Sequence, residues 1–258
     1  MLLSILHLNL NAQNFWDNLV VFLKNHDFDI LQFQEVCGQD TISININTQF
    51  DGFKKLQELL GSTYAGELAI AQRYTSSPSA YMANATFYRN DFKLLNKNIL
   101  TLFPRTELFP SEQDHFEDAG RNLLHLQLQI GAKKISLLNT HLAWAKTTIE
   151  QPHQTNQGEI LLNYLQTVEQ PFILSGDFNI DPNQPLIAKV NSLARNVVVE
   201  HQVTTTLNPR QHRAKVLFPP GAVVDYLFVS KNLQVKKFAV IDELDLSDHF
   251  ALTAEVEI

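Results

Sequence analysis

Six short polar islands hold the residues of this chain best suited to chemistry. They are Asn9 with Asn11, Gln34-Glu35, Asn139-Thr140-His141, Gly176-Asp177-Phe178-Asn179, Asp225 and Ser247-Asp248-His249. Each lies at or near the end of an apolar run, as Asp225 does in Val223-Val224-Asp225-Tyr226-Leu227-Phe228. A carboxylate inside such a run is unfavourable unless it is paired or metal-bound. Six interruptions of this kind predict strands that converge on one polar site. Carboxylates, amides and two histidines suit a hard divalent cation and a phosphate oxygen.

Each island has a chemical reading and a bland one. Glu35 closes an apolar strand, so it either ligates Mg2+ or pairs with a Lys or Arg. Asn9 either ligates the metal through its carbonyl, orients Glu35, or caps a turn. Asp177 and Asn179 lie two apart and share a side of an extended segment. There the carboxylate orients or deprotonates a water, and the amide holds that water or a phosphate oxygen. The competing reading is an Asx turn helped by Gly176. Asp248 and His249 are adjacent, so their side chains diverge, one toward metal and one toward phosphate. Arg121 either reaches a phosphate oxygen or forms a surface salt bridge. Trp144 stacks on a base or sugar, or simply packs. Arg210, His212, Arg213 and Lys215 form the densest basic stretch, a candidate track for a second phosphate or a strand, or a solvated loop. The remaining histidines, His7 among them, read as structural.

The elements that must position these residues follow from periodicity. Residues 2–10 read as a strand, 14–25 as a helix and 28–33 as a buried strand ending at Gln34-Glu35. Residues 38–48 read as a polar loop, 50–60 as a helix, and 80–88 and 92–103 as strands. Residues 104–119 read as a solvated acidic loop. Leu123–Ile130 and Ile135–Asn139 form a hairpin pattern across Gly131-Ala132-Lys133. A helix over 154–168, a strand over 172–174, a helix over 185–194, an irregular stretch over 201–221 and three closing strands complete the chain. Strands outnumber helices, which fits an α/β layered fold with mixed sheets. Two sheets packed face to face, with helices outside, would line the polar strand ends along one edge.

The chain has 258 residues, 45% hydrophobic and 18% charged, and no linker or repeat divides it, so one domain over 1–258 is expected. Its net charge of −7 gives no support to tight binding of long duplex nucleic acid. The single Cys37 excludes an intrachain disulfide. The apolar N-terminus lacks a basic leader and reads as the first strand, and no run approaches a membrane span. A cytoplasmic setting is the expectation.

Taken in order, Leu8-Asn9, Leu31-Gln32-Phe33-Gln34-Glu35, Asn139-Thr140-His141-Leu142, Ser175-Gly176-Asp177-Phe178-Asn179, Val224-Asp225-Tyr226 and Ser247-Asp248-His249 resemble the endonuclease/exonuclease/phosphatase superfamily, the deoxyribonuclease-like metal phosphoesterases. The resemblance spans essentially the whole chain. It implies a four-layer sandwich of two packed mixed β-sheets flanked by helices. It also implies that His249 lies near the scissile phosphate and is oriented by Asp225. His141 matches the second family histidine, at the phosphate or leaving group. Asn9, Glu35 and Asp248 are the implied metal residues. The expected protein is a Mg2+-dependent phosphoester hydrolase, with Mn2+ able to substitute, of phosphodiesterase or nuclease type. Its expected substrate is a phosphoester such as single-stranded or damaged nucleic acid. The alternatives are a phosphatase of a small sugar- or lipid-phosphate and a non-catalytic binding module on the same fold.

Overall fold

Alternating burial along the strands decides which side chains meet between layers. The computed structural model describes residues 1–38, 51–74, 77–104, 107–108, 116–212 and 221–258. In chain order the strands are β1 (Leu2–Asn9), β2 (Ile30–Cys37), β3 (Tyr64–Tyr74), β4 (Ser77–Arg89), β5 (Lys93–Phe103), β6 (Glu107–Leu108) and β7 (Arg121–Ile130). They continue as β8 (Lys133–His141), β9 (Phe172–Asp177), β10 (Arg195–Asn196), β11 (Asp225–Val229), β12 (Gln234–Ile241) and β13 (Ala251–Glu257). The helices are α1 (Trp16–Asn25), α2 (Gly52–Leu60), α3 (Pro152–Leu165), α4 (Pro185–Leu193) and α5 (Val197–Glu200).

One sheet runs β12-β13-β1-β2-β4-β3-β6 and the other β10-β11-β9-β8-β7-β5. Both are mixed: β1/β2 and β8/β9 pair in parallel, and most other neighbours are antiparallel. Period two sorts β1. Leu3 and Ile5 join the core between the sheets, whereas Leu6 and Leu8 face α1 with its Leu19, Phe22 and Leu23. On the outside of the second sheet, Leu161, Leu162 and Leu165 of α3 and Leu186, Ile187 and Val190 of α4 bury their apolar stripes. The order is therefore helices, sheet, sheet, helices, the four-layer sandwich expected.

Several boundaries differ from expectation. β2 runs on through Gln34-Glu35 to Cys37, where a strand end was expected. β3 lies where the periodicity predicts no strand. All but the first residue of the polar loop expected over 38–48, much of the acidic loop over 104–119, and Arg213 with Lys215 lie outside the described residues. Among the described residues no helix is long and apolar enough to cross a membrane.

Candidate active site

Register on the second sheet brings three islands into one row. His141 of β8 lies opposite Asp177 of β9, and Asp177 lies opposite Asp225 of β11. Gly176 permits this, because a Cβ there would lie 2.5 Å from the carbonyl oxygen of Thr140. Residues at alternate positions point toward the first sheet, so His7 and Asn9 of β1 face Ser175, Asp177 and Asp225 across the sandwich. The Asn9 amide donates from Nδ2 to Asp177 Oδ2 at 2.9 Å and to Glu35 Oε1 at 3.4 Å. Its oxygen accepts from the Asn11 N–H at 3.0 Å, so the turn-capping reading holds alongside the carboxylate contacts.

Glu35 reaches this row through a β-bulge. The register shifts between Phe33, opposite Ala85, and Val36, opposite Ala83, so two residues face one. Gln32 and Gln34 face the second sheet through bonds to Leu138 and Asn139. Unbroken alternation would send Val36 inward with them and Glu35 outward. Val36 instead packs in the outer cluster beside Phe33. The change of side is made at Glu35, which adopts φ +51°. Such a left-handed conformation costs a non-glycine residue on the order of 1–3 kcal/mol and is found where function over-determines the backbone.

His249 comes from the other end of the chain. Its Nδ1 donates to Asp225 Oδ2 at 2.8 Å, and its Nε2 lies 3.9 Å from Asp177 Oδ2 and 4.0 Å from Asp248 Oδ1. The segment over 205–208 holds it there. Leu207 bridges to His249, the Asn208 N–H donates to the Asp248 carbonyl, and Thr206 Oγ1 accepts from the N–H groups of Val224 and Asp225. The stretch read as irregular is thus the clamp on both members of the dyad. Asp177 Oδ1 accepts from the Asn179 N–H at 2.9 Å, and Asn179 has φ +54°. The expected extended segment is therefore an Asx turn. That turn aims Asn179 Nδ2 at His141 Nε2, 3.1 Å away. If the amide donates there, that ring nitrogen is the acceptor.

The charges oppose one another in a useful way. Burial, then the Asp225 charge, push the Asp177 carboxyl up to about 7. Burial also acts on Asp225, but the His249 charge and hydrogen bonds from His249 and His7 hold it well below the usual carboxylate range. Burial opposes a charged His249, yet Asp225, then Asp177 and Asp248, push it well above the ordinary histidine value. Burial, with the charges of Arg121 and His249, holds His141 well below that value. The row therefore pairs a proton acceptor near neutrality with a fixed imidazolium.

His7, which the sequence pattern reads as structural, has a role at the site. It is fully buried, its Nε2 lies 3.1 Å from Asp225 Oδ1, and its Nδ1 lies 3.2 Å from Ser175 Oγ. Asp225 is therefore held by two imidazoles. The signal was present in the sequence: a titratable residue between Leu6 and Leu8 meets the same objection as a carboxylate in an apolar run.

Among the described residues two sets of three carboxylate or imidazole groups have ligand atoms within 4.8 Å of one another: Asp177-Asp225-His249 and His212-Asp248-His249. Glu35 is in neither. Within the first set Asp225 is already satisfied by two histidines. Glu35 and Asp248 offer carboxylate oxygens to a hard cation, whereas Asn9, expected as a ligand through its oxygen, turns that oxygen to the Asn11 N–H and presents Nδ2 to Glu35. The Glu35 carboxyl is raised by burial and then by the Asp248 charge, so a cation between these two groups would relieve the repulsion.

Of the remaining candidates, Arg121 is 5% exposed, donates from Nη1 to the Gly120 carbonyl at 3.2 Å, and its charge acts on Glu35 and His141. Trp144 packs beside Leu207, Ala222 and Val224. Arg210 Nε donates to Asp245 Oδ1 at 2.8 Å, Nη2 donates to the Asp242 carbonyl at 2.6 Å, and the guanidinium lies over Phe250. Arg213 lies outside the described residues.

Two layered sheets with a carboxylate-imidazole row at one edge define a deoxyribonuclease-like sandwich. The chain belongs to the Endonuclease/Exonuclease/phosphatase family, which matches residues 6–249. Members of that family are hydrolases of phosphoesters and are generally dependent on divalent metal. An endonuclease/exonuclease/phosphatase from Bacteroides vulgatus is similar over 100% of this chain and 99% of its own, at 17% identity and a TM-score of 0.72. The mannosyl-6-phosphatase of Bacteroides thetaiotaomicron is similar over 99% and 100%, at 16% identity and a TM-score of 0.70. The catalytic domain of human Nocturnin, solved with bound sulfate, is similar over 99% and 93%, at 18% identity and a TM-score of 0.66. No match was found among curated protein sequences.

Proposed function

We propose that this protein hydrolyses a phosphodiester by direct attack of water on phosphorus, with Mg2+ as the working ion and Mn2+ able to replace it. The reading is carried by one observation: Asp177, at about 7, lies 3.9 Å from an imidazole that Asp225 keeps charged. Asp177 accepts the proton of the attacking water, and Asn179 and Asn9 fix its carboxylate. His249 presents a positive charge to the phosphoryl oxygens as negative charge builds there. Neutral His141 lies beside the same phosphate, and Arg121 adds positive potential. Glu35 and Asp248 would hold the ion, with Asn9 Nδ2 orienting the Glu35 carboxylate. When bound, it supplies Lewis-acid stabilisation of phosphate and leaving-group charge.

A second reading, a phosphatase of a small sugar phosphate, is favoured by Arg210. Its guanidinium pairs with the Asp245 carboxylate and donates to the Asp242 main-chain carbonyl, which leaves less of a basic track for a strand. The mannosyl-6-phosphatase among the structural neighbours is consistent with this reading. The test is a panel of bis(p-nitrophenyl) phosphate, p-nitrophenyl phosphate, a hexose 6-phosphate and a short DNA single strand, each with Mg2+, Mn2+ or EDTA. Preferential turnover of the diesters, lost in EDTA, is expected. Preference for the monoesters selects the phosphatase reading. Activity unchanged by thorough chelation, or none on any member, overturns the metal-dependent hydrolase.

A further inference from the structure

We propose that Gln13 is a positioning residue for Glu35, and that the left-handed turn Asn11–Gln13 serves to deliver it. This inference rests on the reading that Glu35 holds the divalent ion.

A bulge disrupts the ladder on its own strand, and polar backbone groups there need new partners. At this bulge the Glu35 carbonyl and the Cys37 N–H are both met by one side chain. Gln13 Nε2 donates to the Glu35 oxygen at 3.1 Å, and Gln13 Oε1 accepts from the Cys37 N–H at 3.1 Å. The carboxamide thus does the work of a neighbouring strand residue, with donor and acceptor in one plane. Gln is the natural choice, because it carries both functions on a stem longer than that of Asn.

The approach to the bulge is built from unusual backbone. Asn11, Ala12 and Gln13 all have positive φ, at +45°, +54° and +58°. The turn is pinned to the same strand by the Leu10 N–H, which donates to the Gln34 carbonyl at 3.0 Å. Gln13 is 4% exposed. Gly52, at the start of α2, packs directly on it: a Cβ there would lie 2.6 Å from Gln13 Oε1 and 2.8 Å from the Cys37 oxygen. The same turn also supplies the Asn11 N–H that orients Asn9. Glu35 is therefore held from two directions, through its backbone by Gln13 and through its carboxylate by Asn9. Without Gln13, the strained backbone of Glu35 relaxes and regular alternation turns its carboxylate away from Asp248.

The experiment is calorimetric titration of Mn2+ into wild type, Gln13→Met, Gln13→Glu and Glu35→Gln, with melting temperatures measured in chelator. Gln13→Met removes both bonds at similar volume, and Mn2+ affinity should fall by about 10–100-fold, the range for groups that support a metal ligand from behind. Gln13→Glu keeps the acceptor for the Cys37 N–H but sets a carboxylate oxygen against the Glu35 carbonyl, so Mn2+ affinity should fall here as well, which also provides a reading if the Met variant does not fold. With bis(p-nitrophenyl) phosphate, the Mg2+ concentration for half-maximal turnover should rise while turnover at saturating Mg2+ stays near wild type. A lower melting temperature with unchanged Mn2+ affinity assigns Gln13 to stability alone and overturns the proposal. Equal Mn2+ affinity in wild type and Glu35→Gln would instead refute the assignment of the ion to Glu35.

Discussion

Replacing Asp177 with Asn should remove turnover and abolish a loss of stability that wild type suffers as pH rises toward 7. The carboxyl is buried, and its affinity for a proton rises from the ordinary 3.8 to about 7 on folding. Between those values the native chain binds more protons than the unfolded chain, so stability falls as pH rises. The contribution of Asp177 is fully present below about 3.8 and is lost by the time pH has passed 7. Two of those pH units separate pH 5 from pH 7, and at 1.36 kcal/mol per unit they amount to roughly 3 kcal/mol. Asn carries no such titration.

The amide has a cost of its own. Its oxygen can keep the bond from the Asn179 N–H, but its NH2 then faces Asn9 Nδ2, donor against donor, at about 1–3 kcal/mol. That cost does not depend on pH, so comparison of two pH values removes it. The assay is thermal unfolding of wild type and Asp177→Asn at pH 5 and pH 8, in chelator. For a chain of this size about 1 kcal/mol moves the melting temperature by roughly 2–4 °C. The variant should therefore gain about 5–10 °C relative to wild type on going from pH 5 to pH 8. Wild-type turnover should rise through about pH 7, and the variant should lose on the order of 100-fold or more at every pH. A melting-temperature difference that stays constant between the two pH values refutes the argument that Asp177 is held near neutrality.

Two further outcomes test the surroundings of this carboxylate. Asp225→Asn leaves His249 and His7 without their shared anion, so turnover should fall by on the order of 10² to 10⁴, measured on the best diester of the panel, and near-normal turnover would remove the dyad from the mechanism. Arg210→Ala should leave the salt dependence of single-strand cleavage within about half a unit of wild type, because Arg210 is engaged with Asp245 and Asp242; loss of a full unit would place Arg210 on the strand.

The layered fold was legible because β1, β7 and the closing strands announce themselves by alternation, and α1 and α3 by helical spacing. β3 escaped notice because Gly66, Glu67, Gln72 and Arg73 break its apolar pattern, and it is stabilised by pairing along most of β4. The islands were legible for a simple reason: a carboxylate in an apolar run is costly and must have a partner. Their arrangement was not, because it depends on three contacts distant in sequence. Thr206 clamps Asp225, Leu207 pairs with His249, and the turn at Asn11–Gln13 meets the bulge at Glu35. None of these has a local signature. Glu between Gln34 and Val36 gives no hint of a left-handed backbone, since the residues that favour that conformation are Gly and Asn. The conformation persists because Gln13, more than twenty residues upstream, satisfies the backbone groups at the bulge. Residue types near a strand end therefore point to the chemistry, while a strained backbone and the side chains that support it decide whether those residues meet.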